Sequence, residues 1–213
     1  MNSFPRLVVM DVDSTLITAE VIELLAARAG SLAEVADVTE RAMRGELDFT
    51  TSLRARVSTL AGLPESVFAE VLAEVELTPG AEDLIAALRQ RGCAVGLVSG
   101  GFIEVVAPLA ERLGITRTRA NALEVARGHL TGRVAGEVVD RAVKARTLRD
   151  WAEADGIDLA DTVAIGDGAN DLDMLATAGF GVAFNAKPVV AAQADASVDG
   201  RLDAVLDLPP FTA

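Results

Sequence analysis

The chain has 213 residues, 51% of them hydrophobic and 24% charged, with a formal net charge of −13. That length suits one domain with room for an insertion, and the apolar share is enough for a core without disulfides. The acidity disfavours a nucleic-acid backbone or an anionic membrane as partner, and an aromatic share of 4% argues against stacking platforms for single strands. Cys93 is the only cysteine, which excludes an internal disulfide and fits a reducing cytoplasm.

The first element is a strand over 6–11. Its apolar run, Leu7 to Met10, is too short for a signal peptide, and no apolar stretch elsewhere is long enough to cross a bilayer. The run ends in "DVDST", with Asp11 and Asp13 one residue apart. Two carboxylates that close repel each other, and neither is buried cheaply without a partner.

Residues 17 to 75 follow with helix-period segments near 19–29, 32–44, 48–61 and 64–75 and no strand pattern. They are predicted to form an inserted helical cap on a core built from 1–16 and 76–213. Helical spacing puts Phe49, Leu53, Arg56 and Leu60 along one face, so Arg56 interrupts an apolar stripe; Glu20 similarly sits between Ile17 and Leu24. Taken singly, each charge has the ordinary reading of a side chain that reaches out to water. As a pair, Arg56 suits a carboxylate and Glu20 an ammonium.

Thr78, Pro79 and Gly92 punctuate a helix over 78–92. A strand over 94–98 leads to "VSGGF", where Ser99 and the glycines open another helix. A Gly-Gly pair there is ordinarily only a turn, yet amides at a helix N-terminus also cradle phosphate. Residues 122–134 read as a hairpin turning near Gly128, and 141–155 as a helix carrying Lys144, by itself an ordinary solvated lysine, and Trp151, taken as packing. A strand over 162–166 precedes "GDGANDLDML", with Asp167, Asn170 and Asp171; this lacks the twelve-residue spacing and closing Glu of an EF-hand. A last strand covers 179–183, and "DLPPFTA" is expected to be a surface tail. His129 reads as a surface residue and Cys93 as a small buried hydrophobe.

Alternating strands and helices predict an α/β fold: a Rossmann-like parallel sheet core with an inserted helical cap and a small β-hairpin excursion. In such sheets ligands bind beyond the carboxyl ends of the strands, which is where the four polar clusters fall. Several carboxylates around one crevice make a hard, oxygen-rich site suited to Mg²⁺, which also relieves their repulsion. A serine hydroxyl, glycine amides and a lysine supply donors for phosphoryl oxygens. One aspartate beside the metal can attack phosphorus and form an aspartyl-phosphate while the other moves protons.

In that order and spacing, Asp11-Val12-Asp13-Ser14-Thr15, Ser99, Lys144 and Gly166-Asp167-Gly168-Ala169-Asn170-Asp171 resemble the four motifs of the haloacid dehalogenase-like phosphatases. The likeness spans nearly the whole chain; Val12 stands where many members carry Phe. Further segments, "LDFTTSLRARVSTLAGL" and "AGFGVAFNAKP", resemble the members that hydrolyse O-phosphoserine to serine and phosphate, the final step of serine biosynthesis.

The resemblance implies Asp11 as nucleophile and Asp13 as proton donor to the leaving oxygen, then acceptor from water. It implies Mg²⁺ held by the Asp11 side chain, the Asp13 backbone carbonyl and Asp167, with Asp171 supporting the metal or Lys144 from outside the ligand set. Ser99, the Gly100 amide and Lys144 would neutralise the transferred group, and Asn170 would contact it or its ligands. Glu20 and Arg56 would hold the small-molecule substrate, O-phosphoserine, while Met43 and Phe49 wall off water. Longer members carry an N-terminal regulatory domain with no counterpart in this chain, so control by an amino acid is not expected. A phosphatase or phosphotransferase for another small phosphate ester shares all the core motifs and differs mainly in the cap residues. A phosphoaspartate signalling receiver would be shorter, lack the cap and not need Asp13.

Overall fold

A computed structural model describes residues 4–43 and 46–212, without the Met43 side chain. Its centre is one seven-stranded sheet in the order β4-β3-β2-β1-β5-β6-β7. Strand β1 (Leu7–Met10) is buried on both faces, which explains why its sequence is continuously apolar instead of alternating. It pairs in parallel with β2 (Ala94–Phe102) on one side and β5 (Thr162–Gly166) on the other. The chain therefore builds outward from β1 in both directions, and the crevice at β1's carboxyl end is the switch point where such sheets bind ligands.

Four helices separate β1 from the rest of the sheet: α1 (Val21–Ala29), α2 (Leu32–Met43), α3 (Phe49–Ser58) and α4 (Val67–Glu74). Asp48 caps α3, its carboxylate accepting the Thr51 amide at 2.9 Å. The two connections into and out of this helical segment run side by side. Ile17 and Leu77 form an antiparallel bridge, flanked by Thr18 N–H donating to Glu76 O (3.1 Å) and Thr78 N–H to Leu16 O (2.9 Å).

Helix α5 (Ala81–Gln90) leads into β2 and α6 (Ile103–Arg112) follows it without a loop. Strand β2 does not stop at Val98, where the apolar run weakens; it continues through Ser99–Gly101 to Phe102, losing register with its neighbour between Val98 and Phe102. Strands β3 (Arg117–Ala126) and β4 (His129–Ala135) form the hairpin. Its two-residue turn, Arg127-Gly128, has positive φ at both positions, the twist that matches antiparallel strands. The first part of β3 also pairs in parallel with β2, so the hairpin grows out of the main sheet.

Helix α7 (Arg141–Ala154) is capped by Asp140, which accepts the Val143 amide at 2.9 Å. After β5 come α8 (Leu172–Thr177), β6 (Phe180–Phe184), α9 (Pro188–Ala191) and a short edge strand, β7 (Ala196–Val198), that no apolar run announced. The expected C-terminal surface tail is instead docked. Phe211 is 2% exposed and meets Phe4 edge to face at 5.6 Å, with the Arg91 guanidinium over the Phe4 ring.

Among the described residues, no helix is long and apolar enough to cross a membrane.

Candidate active site

Beyond the carboxyl ends of β1, β2 and β5 lies a cavity of about 970 Å³. Asp11, Asp13, Glu20, Phe49, Arg56, Gly100, Asp167 and Asn170 all line it. Ser99, Lys144 and Asp171 lie fully buried behind its wall. Of the residues singled out in the sequence, only the Met43 side chain falls outside what the structure describes.

The Asp11 backbone extends β1 by one hydrogen bond, its amide donating to Ile165 O at 3.0 Å. The chain then turns sharply, with Ser14 in the left-handed region at φ 57°, so that Asp13 projects into the same crevice. Ser14 donates its hydroxyl to Glu20 Oε1 at 2.6 Å. Glu20 occupies the N-cap position of α1 but makes no capping bond, leaving its carboxylate to the cavity. Thr15 donates to Asp167 Oδ1 at 3.2 Å.

Lys144 Nζ stands 2.8 Å from Asp11 Oδ1 and 2.7 Å from Asp171 Oδ1. Burial opposes its charge, yet the two carboxylates outweigh that and hold the ammonium above the ordinary lysine value. Lys144 is therefore a fixed, buried cation and not the solvated lysine its helix position suggested. Asp171 is fully engaged: its other oxygen, Oδ2, accepts the Gly168 amide at 3.0 Å. Gly166 makes room for it, since a Cβ there would stand 2.4 Å from Asp171 Cγ.

One carboxylate oxygen from each of Asp11, Asp167 and Asp171 lies within 4.8 Å of the others. Burial, then mutual repulsion, raises Asp11 well above the ordinary carboxyl value and Asp167 to about 6. Three carboxylates share the single charge of Lys144, and the unbalanced charge is what one divalent cation would neutralise. The donor set is all oxygen, as a hard divalent ion requires. The site fits such a cation.

Asp13 is in a different situation. Burial and the nearby Glu20 push its carboxyl up to about 8, and Asp13 Oδ1 is buried with no hydrogen-bond partner among the described residues. Both carboxyls are raised by burial, but their surroundings differ: Asp11 is paired to an ammonium, while Asp13 Oδ1 meets no partner among the described residues. That difference in surroundings suits one group to attack beside the lysine and the other to deliver a proton.

Across the crevice, Ser99 Oγ accepts the Gly101 amide at 2.8 Å. A Cβ on Gly101 would fall 2.7 Å from Asp13 Oδ2 and 3.0 Å from Ser99 Oγ, so only glycine lets this strand approach the two oxygens. Phe49 closes over Gly100 from the helical segment, its ring edge 3.3 Å from where a Gly100 Cβ would be. Sequence reasoning assigned nothing to Ser14, Thr15, Ser52 or Asn121. Ser14 and Thr15 carried a signal, sitting in the Asp-rich motif itself; Ser52 and Asn121 carried none.

The sheet order, the inserted helices and this carboxylate-lysine cluster define a class of hydrolase. The chain belongs to the haloacid dehalogenase-like hydrolase family, whose sequence profile matches residues 8–176. It is similar to the phosphoserine phosphatase of Streptomyces coelicolor, 63% identical over 97% of this chain and 51% of that protein. It is also similar to the phosphoserine phosphatase of Streptococcus thermophilus, 55% identical over 91% of this chain and 90% of that one. A solved phospho-aspartyl intermediate analogue of phosphoserine phosphatase superposes with a TM-score of 0.90 at 42% identity, covering 96% of this chain and 99% of its own. The chain spans about half the length of the first two curated relatives it matches.

Proposed function

We propose that the chain hydrolyses O-phosphoserine to serine and phosphate through a phosphoryl group carried on Asp11. The observation that carries this reading is the different surroundings of Asp11 and Asp13 in one cavity, Asp11 bound to Lys144 and Asp13 Oδ1 buried with no partner among the described residues. Three relatives or neighbours that cover most of this chain are phosphoserine phosphatases, which supports the substrate.

In the first step an Asp11 carboxylate oxygen bonds to phosphorus as the bond to the serine oxygen breaks. Asp13 gives that oxygen its proton, so serine leaves as an alcohol. In the second step Asp13, now ionised, takes a proton from water, whose oxygen attacks the same phosphorus and frees Asp11. Lys144, the Ser99 hydroxyl and the Gly100 amide neutralise the phosphoryl oxygens, and Asn170 stands beside Gly100 to assist.

Mg²⁺ would be held by the Asp11 side chain, the Asp13 carbonyl and Asp167, with Asp171 steadying Lys144; when bound it supplies positive charge against the phosphoryl oxygens. Residues 17–75 act as a cap on the core formed by 1–16 and 76–213. From it Arg56 takes the substrate carboxylate, Glu20 the ammonium, and Met43 and Phe49 exclude water. The reaction is that of a cytoplasmic enzyme completing serine biosynthesis, with no nucleic acid or membrane as partner.

The test is phosphate release from phosphoserine, phosphothreonine, phosphoethanolamine and sugar phosphates, with and without Mg²⁺. Preference for phosphoserine that requires the metal supports the reading; equal or faster turnover of sugar phosphates removes the substrate assignment and keeps the hydrolase.

A further inference from the structure

Asn121 is fully buried on β3, outside every motif that the chemistry uses. Its side-chain amide spans two backbones: Nδ2 donates to Gly100 O at 2.7 Å, and Oδ1 accepts Val139 N–H at 2.8 Å. Both contacts lie where the fold offers no regular alternative. The β2–β3 pairing loses register between Val98 and Phe102, and Gly100 sits inside that gap. Val139 adjoins Asp140, the cap of α7, whose carbonyl in turn accepts the Lys144 amide at 2.9 Å.

Gly100 C=O and Gly101 N–H belong to one planar peptide unit, so fixing the carbonyl fixes the direction of the amide. That amide is the one donating to Ser99 Oγ. A hydroxyl that has accepted this bond retains its own proton to give, and Asp13 Oδ2 and Ser99 Oγ both border the same point beside Gly101.

We propose that Asn121 is a positioning residue, clamping the Gly100–Gly101 peptide so that Ser99 presents its hydroxyl proton to a phosphoryl oxygen, and tying that turn to the start of the Lys144 helix. The proposal rests on the phosphatase reading above. Asn121 touches no reacting atom; it acts through Ser99. A buried asparagine that merely satisfied two strand ends would contribute to stability alone.

The test is a double-mutant cycle on the full chain with Asn121→Thr and Ser99→Ala. Threonine is neutral and suits a strand, but its hydroxyl cannot bridge both backbones. Three quantities are read with Mg²⁺ present: kcat and KM for O-phosphoserine, and the Kd of inorganic phosphate. Asn121→Thr is expected to lower kcat about 10–100-fold, with KM changed much less, and to weaken phosphate binding. In the Ser99→Ala background the same substitution should cost little, because the group it acts through is gone. Equal losses in both backgrounds, or a fall in melting temperature with kcat and Kd unchanged, overturn the proposal. Should Asn121→Thr not fold, Asn121→Ser enters the same cycle. If the wild-type protein binds phosphate but leaves phosphoserine intact, the substrate reading fails and the phosphate cycle still decides the role of Asn121. If it binds no phosphate, the positioning proposal falls with the site.

Discussion

Asp11 and Lys144 form an ion pair of 2.8 Å that is sealed from solvent, with Asp11 3% exposed and Lys144 0%. One comes from the end of the central strand and the other from α7, so the pair also joins the first motif to the third. Breaking a buried pair strands a charge and costs about 3–5 kcal/mol. Lys144→Ala should therefore lower both thermal stability and activity, the latter by roughly 10²–10³ if Lys144 faces the transferred group. Lys144→Arg, too large for the seat between Asp11 and Asp171, should not restore activity. Calorimetry and kcat on the same preparations check both statements.

Removing divalent cations with a chelator should abolish turnover and also lower the melting temperature. Adding the metal back stabilises by mass action, by about 2.7 kcal/mol at a hundred times its Kd. The effect should shrink sharply in Asp167→Asn, which removes one of the three clustered carboxylates. A metal-independent melting temperature would contradict the assignment of that cluster.

The raised carboxyl of Asp13 makes a prediction about stability. Its folded pKa of about 8 lies above the ordinary 3.8, so between those values the folded state keeps a proton that the unfolded chain has lost. In the metal-free protein stability should fall as pH rises through that window. Asp13→Asn removes the titration. The variant should lose activity yet melt higher than wild type above pH 8, by roughly 2–4 °C for each kcal/mol of burial cost and repulsion removed. Thermal melts of both proteins from pH 5 to 9 decide it.

Arg56 and Glu20 give the substrate its two handles under the proposed reading. Arg56→Ala should cut kcat/KM for phosphoserine by about 10²-fold or more, while phosphoethanolamine, which lacks the carboxylate, should be affected far less. Arg56→Lys should recover only part of the loss, since an ammonium cannot fork onto a carboxylate. Equal losses on both esters would place Arg56 in structure instead of recognition.

The parts legible in the sequence were those where local chemistry broke a local pattern. Asp11 and Asp13 interrupt an apolar strand, Gly100 and Gly101 break the apolar run of β2, and Asp167 and Asp171 follow a strand end; the sheet's topology then brings these to one cavity. The helical segment was legible because its periodicity is continuous. Contacts between remote segments left no such trace. Asn121 looks like any polar residue on a strand until Gly100 and Val139 are seen on either side of it. Phe211 ends a proline-rich stretch that reads as a tail, and only its packing on Phe4 shows otherwise. Lys144 was legible only through the constellation of motifs, because nothing in its own helix marks the two carboxylates that enclose it.

The most direct measurement is to quench the protein in acid during turnover of radiolabelled phosphoserine and map the label. The account predicts an alkali-labile phosphoryl group on the peptide bearing Asp11, absent in Asp11→Asn. Full turnover with no labelled protein, or label on any other residue, would contradict it.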